Sequence, residues 1–186
     1  MGRMIFSPTA IAGVVEVTTQ PVVDERGRFS RVYCEDEFVP WIGRTRWVQT
    51  NVSLTLHRGT IRGMHYQVPP VAETKLISCV RGSVYDVAVD LRRDSPTFLQ
   101  WHSVTLSEDN QRMLLIPPGC AHGFQTLTDD AQLLYQHSAP WTQACERRVR
   151  HDDARIGVAW PLAAVHISSA DANAPALEAS FDGVTL

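Results

Sequence analysis

What most constrains this chain is how often it is interrupted. Short runs of alternating apolar and polar residues are cut by Gly, Pro, Asp and Asn before any of them grows long. Alternation with period two marks half-buried strands, and the interruptions mark turns. Gly13–Thr19 reads as an opening strand. Pro21–Phe29 reads as two strands about a turn at Asp24–Gly27. Trp47–Ser53 alternates so that Gln49, Asn51 and Ser53 share one face. Leu76–Val80 and Ser83–Leu91 read as a hairpin about Arg81-Gly82, with Val84, Asp86, Ala88 and Asp90 on one face of the second strand. Phe98–Leu106 and Arg112–Ile116 follow, joined by a turn at Ser107–Asn110. Pro117-Pro118-Gly119 makes a tight turn, and Phe124–Leu127 and Gln132–His137 are further strands. Glu35–Ile42 offers one helical turn that Pro40 should end. Ser168–Ser180, rich in Ala and Ser, reads as a loose tail.

Many short strands with hardly any helix predict an all-β fold, a double-stranded β-helix or jelly roll of the cupin-like type with short peripheral helices. At 186 residues the chain suits a single domain over 1–186. In such a roll the interior is both core and ligand pocket, so a polar residue on an inward face is either hydrogen-bonded packing or chemistry.

Charge excludes some partners. A net charge of −3 gives no field for nucleic acid. The one dense basic run, Arg147–His151, is followed at once by Asp152-Asp153 and reads as a charge-balanced surface turn. No apolar run approaches the ~20 residues of a membrane span, and the N-terminus lacks the basic-then-apolar layout of a signal peptide. A cytoplasmic protein is expected, with Cys34, Cys79, Cys120 and Cys145 as free thiols.

The chemistry gathers in His57–Gln67 (HRGTIRGMHYQ). It sets Arg62 and His65 three residues apart, in a run whose Gly59 and Gly63 permit close backbone approach. Lys75 follows ten residues after His65, ahead of the apolar Leu76–Val80. Each candidate has a plain reading beside the functional one. His65 is a packed histidine bonded to a carbonyl, or a base matched to neutral pH. Lys75 is a solvated surface cation, or an ammonium turned inward to hold an oxyanion. Tyr135 is core with its hydroxyl satisfied, or an acid facing the base. Trp141 is packing, or a plate for a nucleobase. Asp171, in SSAD, is part of a helix N-terminus, or a partner for a histidine. His122, in IPPGCAHGF, stands where metal-binding cupins place one ligand. The HxH pair and glutamate that complete such a site are missing, since Tyr66 and Gln67 follow His65, and the only nearby glutamate, Glu73, precedes the strand. No metal is expected.

Several motifs in order then carry a resemblance: Asp24–Phe29 (DERGRF), Gln49–Ser53 (QTNVS), Ile61–Gln67 (IRGMHYQ), Val80–Pro96, Ile116–Phe124 and Gly157–Pro161 (GVAWP). The chain resembles the dTDP-4-dehydrorhamnose 3,5-epimerase family of nucleotide-sugar epimerases over nearly its whole length. The resemblance implies an isomerase that inverts C3 and C5 of a nucleotide-diphospho-4-keto-6-deoxyhexose, without cofactor or metal. A single-centre epimerase and a non-catalytic sugar-binding cupin are the alternatives. It implies His65 as base, Asp171 as its orienting carboxylate, Lys75 as the enolate's counter-charge and Tyr135 as acid. By the same resemblance Arg26, Gln49, Asn51, Arg62, His122 and Glu146 hold the nucleotide-diphosphate sugar, Trp141 stacks on the base, Asp86 is a second partner in the pocket, and the enzyme is a homodimer. Two positions depart from the family pattern. Arg31 stands where the family has Glu, and Ala170 where it has Lys beside the dyad aspartate.

Overall fold

The computed structural model describes residues 3–186 and contains, among them, thirteen strands and two helices. In chain order these are β1 (Met4–Pro8), β2 (Val15–Thr19), β3 (Val22–Asp24), β4 (Gly27–Phe29), α1 (Glu35–Ile42), β5 (Gln49–Thr55), β6 (Ile61–Gln67) and β7 (Lys75–Arg81). There follow β8 (Ser83–Asp90), β9 (Trp101–Ser107), β10 (Arg112–Ile116), β11 (Cys120–Thr126), β12 (Ala131–His137), β13 (Glu146–Arg148) and α2 (Ser169–Ala172). A six-stranded sheet runs β1-β2-β10-β7-β12-β5, a five-stranded sheet runs β13-β6-β11-β8-β9, and β3-β4 stand apart as a hairpin. All pairings between strands are antiparallel. The expected all-β jelly roll is what forms.

Three apolar layers explain why the strands read as they do. The inner faces of the two sheets meet through Ile77, Cys79, Leu114, Ile116 and Leu133 on one side and Val84, Ala88, Leu106 and Phe124 on the other. The outer face of the five-stranded sheet, with Met64, Val87, Val89 and Ala121, is covered by the C-terminal segment through Val149, Ile156 and Val184. The outer face of the six-stranded sheet, with Val15, Val17, Leu76 and Leu115, is covered by Phe38 of α1. Strands buried on both faces, such as β11, lose the simple alternation.

Four expectations need correction. β7 and β8 are not a hairpin: they lie in different sheets, and the chain changes sheet at Gly82, whose φ is +72°. Pro40 does not end α1, which continues to Ile42. Proline forfeits only the bond to the Asp36 carbonyl, and that residue is exposed to water. Phe38 then anchors the helix against Phe6 and Tyr33 at ring-centroid distances of 5.0 and 5.1 Å. β11 begins at Cys120 rather than Phe124, which puts His122 on a central strand. The tail is not loose, because α2 buries Asp171 and Leu177 packs on the C-terminal core. Strand β1, which had no separate signal, pairs along its full length with β2.

Candidate active site

Between the two sheets lies a cavity of about 270 Å³ lined by residues of β5, β6, β7, β11 and β12 together with Trp141 and Glu146. Nine of the eleven candidate site residues line it, and a tenth, Asp171, is bonded to His65.

Arg62 and His65 enter together for a local reason. Three residues apart, they belong on opposite faces of a regular strand. The register shifts between them: His65 faces His122 and Arg62 faces Phe124, so two residues of β6 oppose one of β11. This bulge returns both side chains to the inner face. It needs glycine on each side. Gly63 has φ +120°, and a Cβ there would stand 2.6 Å from the Gly123 Cα. A Cβ on Gly123 would meet Met64 Sδ at 2.5 Å.

His65 Nε2 lies 2.7 Å from Asp171 Oδ1, with the Asp171 side chain 6% exposed and the imidazole 36% exposed to the cavity. Asp171 is fixed by its place in α2, which Ser168 caps by accepting the Asp171 N–H at 3.1 Å. Its Oδ2 accepts the Gly63 N–H at 3.4 Å. Burial alone would raise the Asp171 pKa. The His65 hydrogen bond and charge, with the Ser168 and Gly63 donors, hold it below the ordinary aspartate value. The capping sequence and the catalytic-looking carboxylate are therefore the same feature.

Lys75 shares the inner face of β7 with Ile77 and Cys79. Its ammonium donates to the His65 carbonyl at 3.0 Å and pairs with Glu73 at 3.1 Å. Tyr135 enters from the adjacent strand β12, in the sheet facing His65. Its hydroxyl lies 3.2 Å from Ser53 Oγ, and burial pushes its pKa up, so it is a protonated donor at neutral pH. His122 Nε2 meets Asp86 Oδ1 at 2.8 Å, forming a second buried imidazole–carboxylate pair whose Asp86 Oδ2 has no hydrogen-bond partner. Burial raises the Asp86 pKa, opposed by His122 and by the Lys75 charge.

Gln49, Asn51 and Ser53 line the cavity from β5, as their alternation predicts. Gln49 Oε1 accepts the Trp141 N–H at 2.9 Å, and the Trp141 ring, 56% exposed, stands at the cavity mouth. Arg62 donates to Thr55 Oγ1 at 3.0 Å. Glu146 lines the cavity and receives the Arg148 guanidinium at 3.1 Å. Arg148 is also 3.8 Å from Asp171, so the basic run is not merely a surface turn. Arg26 is the exception among the candidates. It lies on the β3–β4 turn, exposed, in a 2.6 Å ion pair with Asp24, and does not line the cavity of its own chain. Of the two departures, Arg31 pairs with Glu37 at 2.5 Å, and Ala170 sits in α2 directly before Asp171.

Sequence reasoning left out Gln67, Glu73 and His137, all of which line the cavity. Gln67 and His137 follow His65 and Tyr135 by two residues on the same strands, so strand periodicity alone could have found them. Burial and the Lys75 and His122 charges push His137 down to about 4, leaving it neutral beside the ammonium.

Comparisons with known proteins give the family. Residues 8–179 match the family model described as dTDP-4-dehydrorhamnose 3,5-epimerase. A dTDP-4-dehydrorhamnose 3,5-epimerase of Salmonella typhimurium is 41% identical over 177 residues, covering 94% of this chain and 96% of the relative. A dTDP-4-dehydrorhamnose 3-epimerase of Streptomyces niveus is 36% identical, covering 96% and 86%. The solved structure of a dTDP-6-deoxy-D-glucose-3,5-epimerase from Legionella pneumophila, in complex with dTDP-4-keto-L-rhamnose, superposes with a TM-score of 0.90 at 33% identity, covering 99% of this chain and all of that one. The chain belongs to the dTDP-4-dehydrorhamnose 3,5-epimerase family.

Proposed function

We propose that this protein inverts C3 and C5 of a nucleotide-diphospho-4-keto-6-deoxyhexose, with dTDP-4-dehydro-6-deoxyglucose as substrate. The observation that carries the reading is the opposition of the His65–Asp171 dyad, at 2.7 Å, to the protonated Tyr135 on the facing sheet, with the Lys75 ammonium between strands. A ketone makes the hydrogens on its neighbouring carbons acidic. His65 takes one of these protons, and Asp171 holds the imidazole ring and offsets the charge it gains. The electrons move onto the ketone oxygen, where Lys75 and the His122 imidazole stabilise the enolate. Tyr135 returns a proton to the other face of the same carbon, and the centre is inverted. Gln49, Asn51, Arg62 and Glu146 hold the sugar and diphosphate, and Trp141 stacks on the nucleobase.

Arg26 serves as a diphosphate ligand from a second copy of the chain. Support comes from its hairpin, which stands apart with Val22, Val23 and Phe29 exposed, and from the edge strand β5, which exposes Val52 and Leu54. We place this homodimer in the cytoplasm, in keeping with its four free cysteines and with the absence, among the described residues, of any helix long and apolar enough to cross a membrane.

His65→Ala tests the assignment. Turnover should fall by about 10²-fold or more while nucleotide-sugar affinity is largely kept. Lost binding with turnover remaining would refute His65 as the base. Turnover unchanged by the substitution would do the same.

A further inference from the structure

Behind Lys75 runs a buried polar chain whose other members, Glu73 and Gln67, have no part in the proton-transfer scheme. It starts at Lys75 Nζ, 3.1 Å from Glu73 Oε1. Glu73 Oε2 accepts from Gln67 Nε2 at 2.7 Å, and Gln67 Oε1 accepts the Thr142 N–H at 2.6 Å. Gln67 Nε2 is also 3.2 Å from the Pro140 carbonyl, so one amide grips both neighbours of Trp141. The side chains of Lys75 and Glu73 are 8% and 4% exposed, and Gln67 is 5% exposed. An ion pair this deep needs further hydrogen bonds to its polar atoms, and the Gln67 amide and the His65 carbonyl supply them. An ammonium has three donors. One goes to the His65 carbonyl and one is directed at Glu73, leaving one for a ligand oxygen.

We propose that Glu73 is a positioning residue. It supplies the counter-charge that keeps the Lys75 ammonium aimed at the developing oxyanion. Through Gln67 it also fixes the Pro140–Thr142 loop, and so the Trp141 plate, relative to that ammonium. The inference rests on the proposed epimerase reading and adds a residue to it. The other groups facing Lys75 include one further carboxylate, Asp86, and it is already paired with a histidine. From β6 Lys75 meets His65, from β11 His122, from β12 Tyr135 and His137, and from β8 Asp86, whose Oδ1 is bonded to His122. Without Glu73 the one carboxylate left near the ammonium is Asp86, which is bonded to His122, and Lys75 loses the ion pair that fixes its direction.

The test is the pH profile of Glu73→Gln, a near-isosteric change that can keep the Gln67 contact. The expected result is a KM within about twofold and a basic limb moved to lower pH by about one unit, so that kcat at any fixed pH on that limb falls by about tenfold. A folded E73Q with a profile superimposable on the native one would overturn the inference. If E73Q fails to fold, the double variant E73Q/K75M, which removes both charges, decides the matter. Recovered folding supports the pair, and continued failure shows that Glu73 holds something other than Lys75 and overturns it. Native protein without any solvent proton exchange into substrate would instead refute the epimerase reading itself.

Discussion

Tyr135→Phe separates the two halves of the proposed reaction. The substitution removes one oxygen and keeps the ring, which packs against the inner core. The lost contact is the 3.2 Å hydrogen bond to Ser53 Oγ. A bond of this kind contributes about 1 kcal/mol net, so the thermal midpoint should fall by only about 2–4 °C for a chain of this size. Catalysis should suffer far more. A positioned acid contributes about 10²–10⁴-fold, which is about 3–5 kcal/mol of barrier. The loss should be confined to inversion, because His65 and Asp171 lie on the other side of the cavity and are untouched. In deuterated solvent, NMR should then show label entering the substrate with its original configuration, since the enolate still forms and is reprotonated from the side of His65. Inverted product formed at the native rate would refute Tyr135 as the acid. Loss of both exchange and inversion, in a folded variant that still binds substrate, would show that the tyrosine is needed to form the enolate and would refute the division of labour.

Two further outcomes follow from the geometry. Gly63→Ala places a Cβ 2.6 Å from the Gly123 Cα at a φ of +120°. It should cost more than about 2 kcal/mol by denaturant melting and disturb His65 along with the bulge, whereas a loss under 0.5 kcal/mol would show that the bulge relaxes freely. His137 stays neutral in the native state down to about 4, against an ordinary value of 6.5, because of burial and the neighbouring cations. The unfolded chain therefore binds a proton that the native chain refuses, and stability is lost as pH falls from about 6.5 to 4. Allowing for partial exposure, that loss is about 2 kcal/mol, and His137→Gln should flatten the urea-midpoint profile across this window. An equally steep profile in the variant would rule out His137 as the source.

The pattern of alternation is enough to place most strands, because half-buried β structure writes its burial directly into the chain. It fails where the structure departs from a regular strand. The spacing of Arg62 and His65 conceals the bulge that unites them, since a bulge leaves no periodic signal beyond the glycine at Gly63. Arg81-Gly82 looks the same whether the chain folds back on itself or crosses to the other sheet, as it does. Asp171 and Glu73 are legible only as a cap and a loop residue, because contacts at a separation of 106 residues, such as that between His65 and Asp171, are set by the fold and not by local sequence. Arg26, read from its motif alone, gives no sign that its hairpin stands away from the cavity, because that separation is set by the fold.

Inversion at both centres requires proton abstraction on both sides of the ketone. The most direct measurement is solvent deuterium incorporation into dTDP-4-keto-6-deoxyglucose by the native protein, read by NMR at C3 and C5. Label is expected at both centres, with inversion at each. Label confined to one centre would contradict a double epimerase and indicate a single-centre enzyme. No label at either, in protein that binds the nucleotide sugar, would contradict the assignment of His65 as a base acting on this substrate.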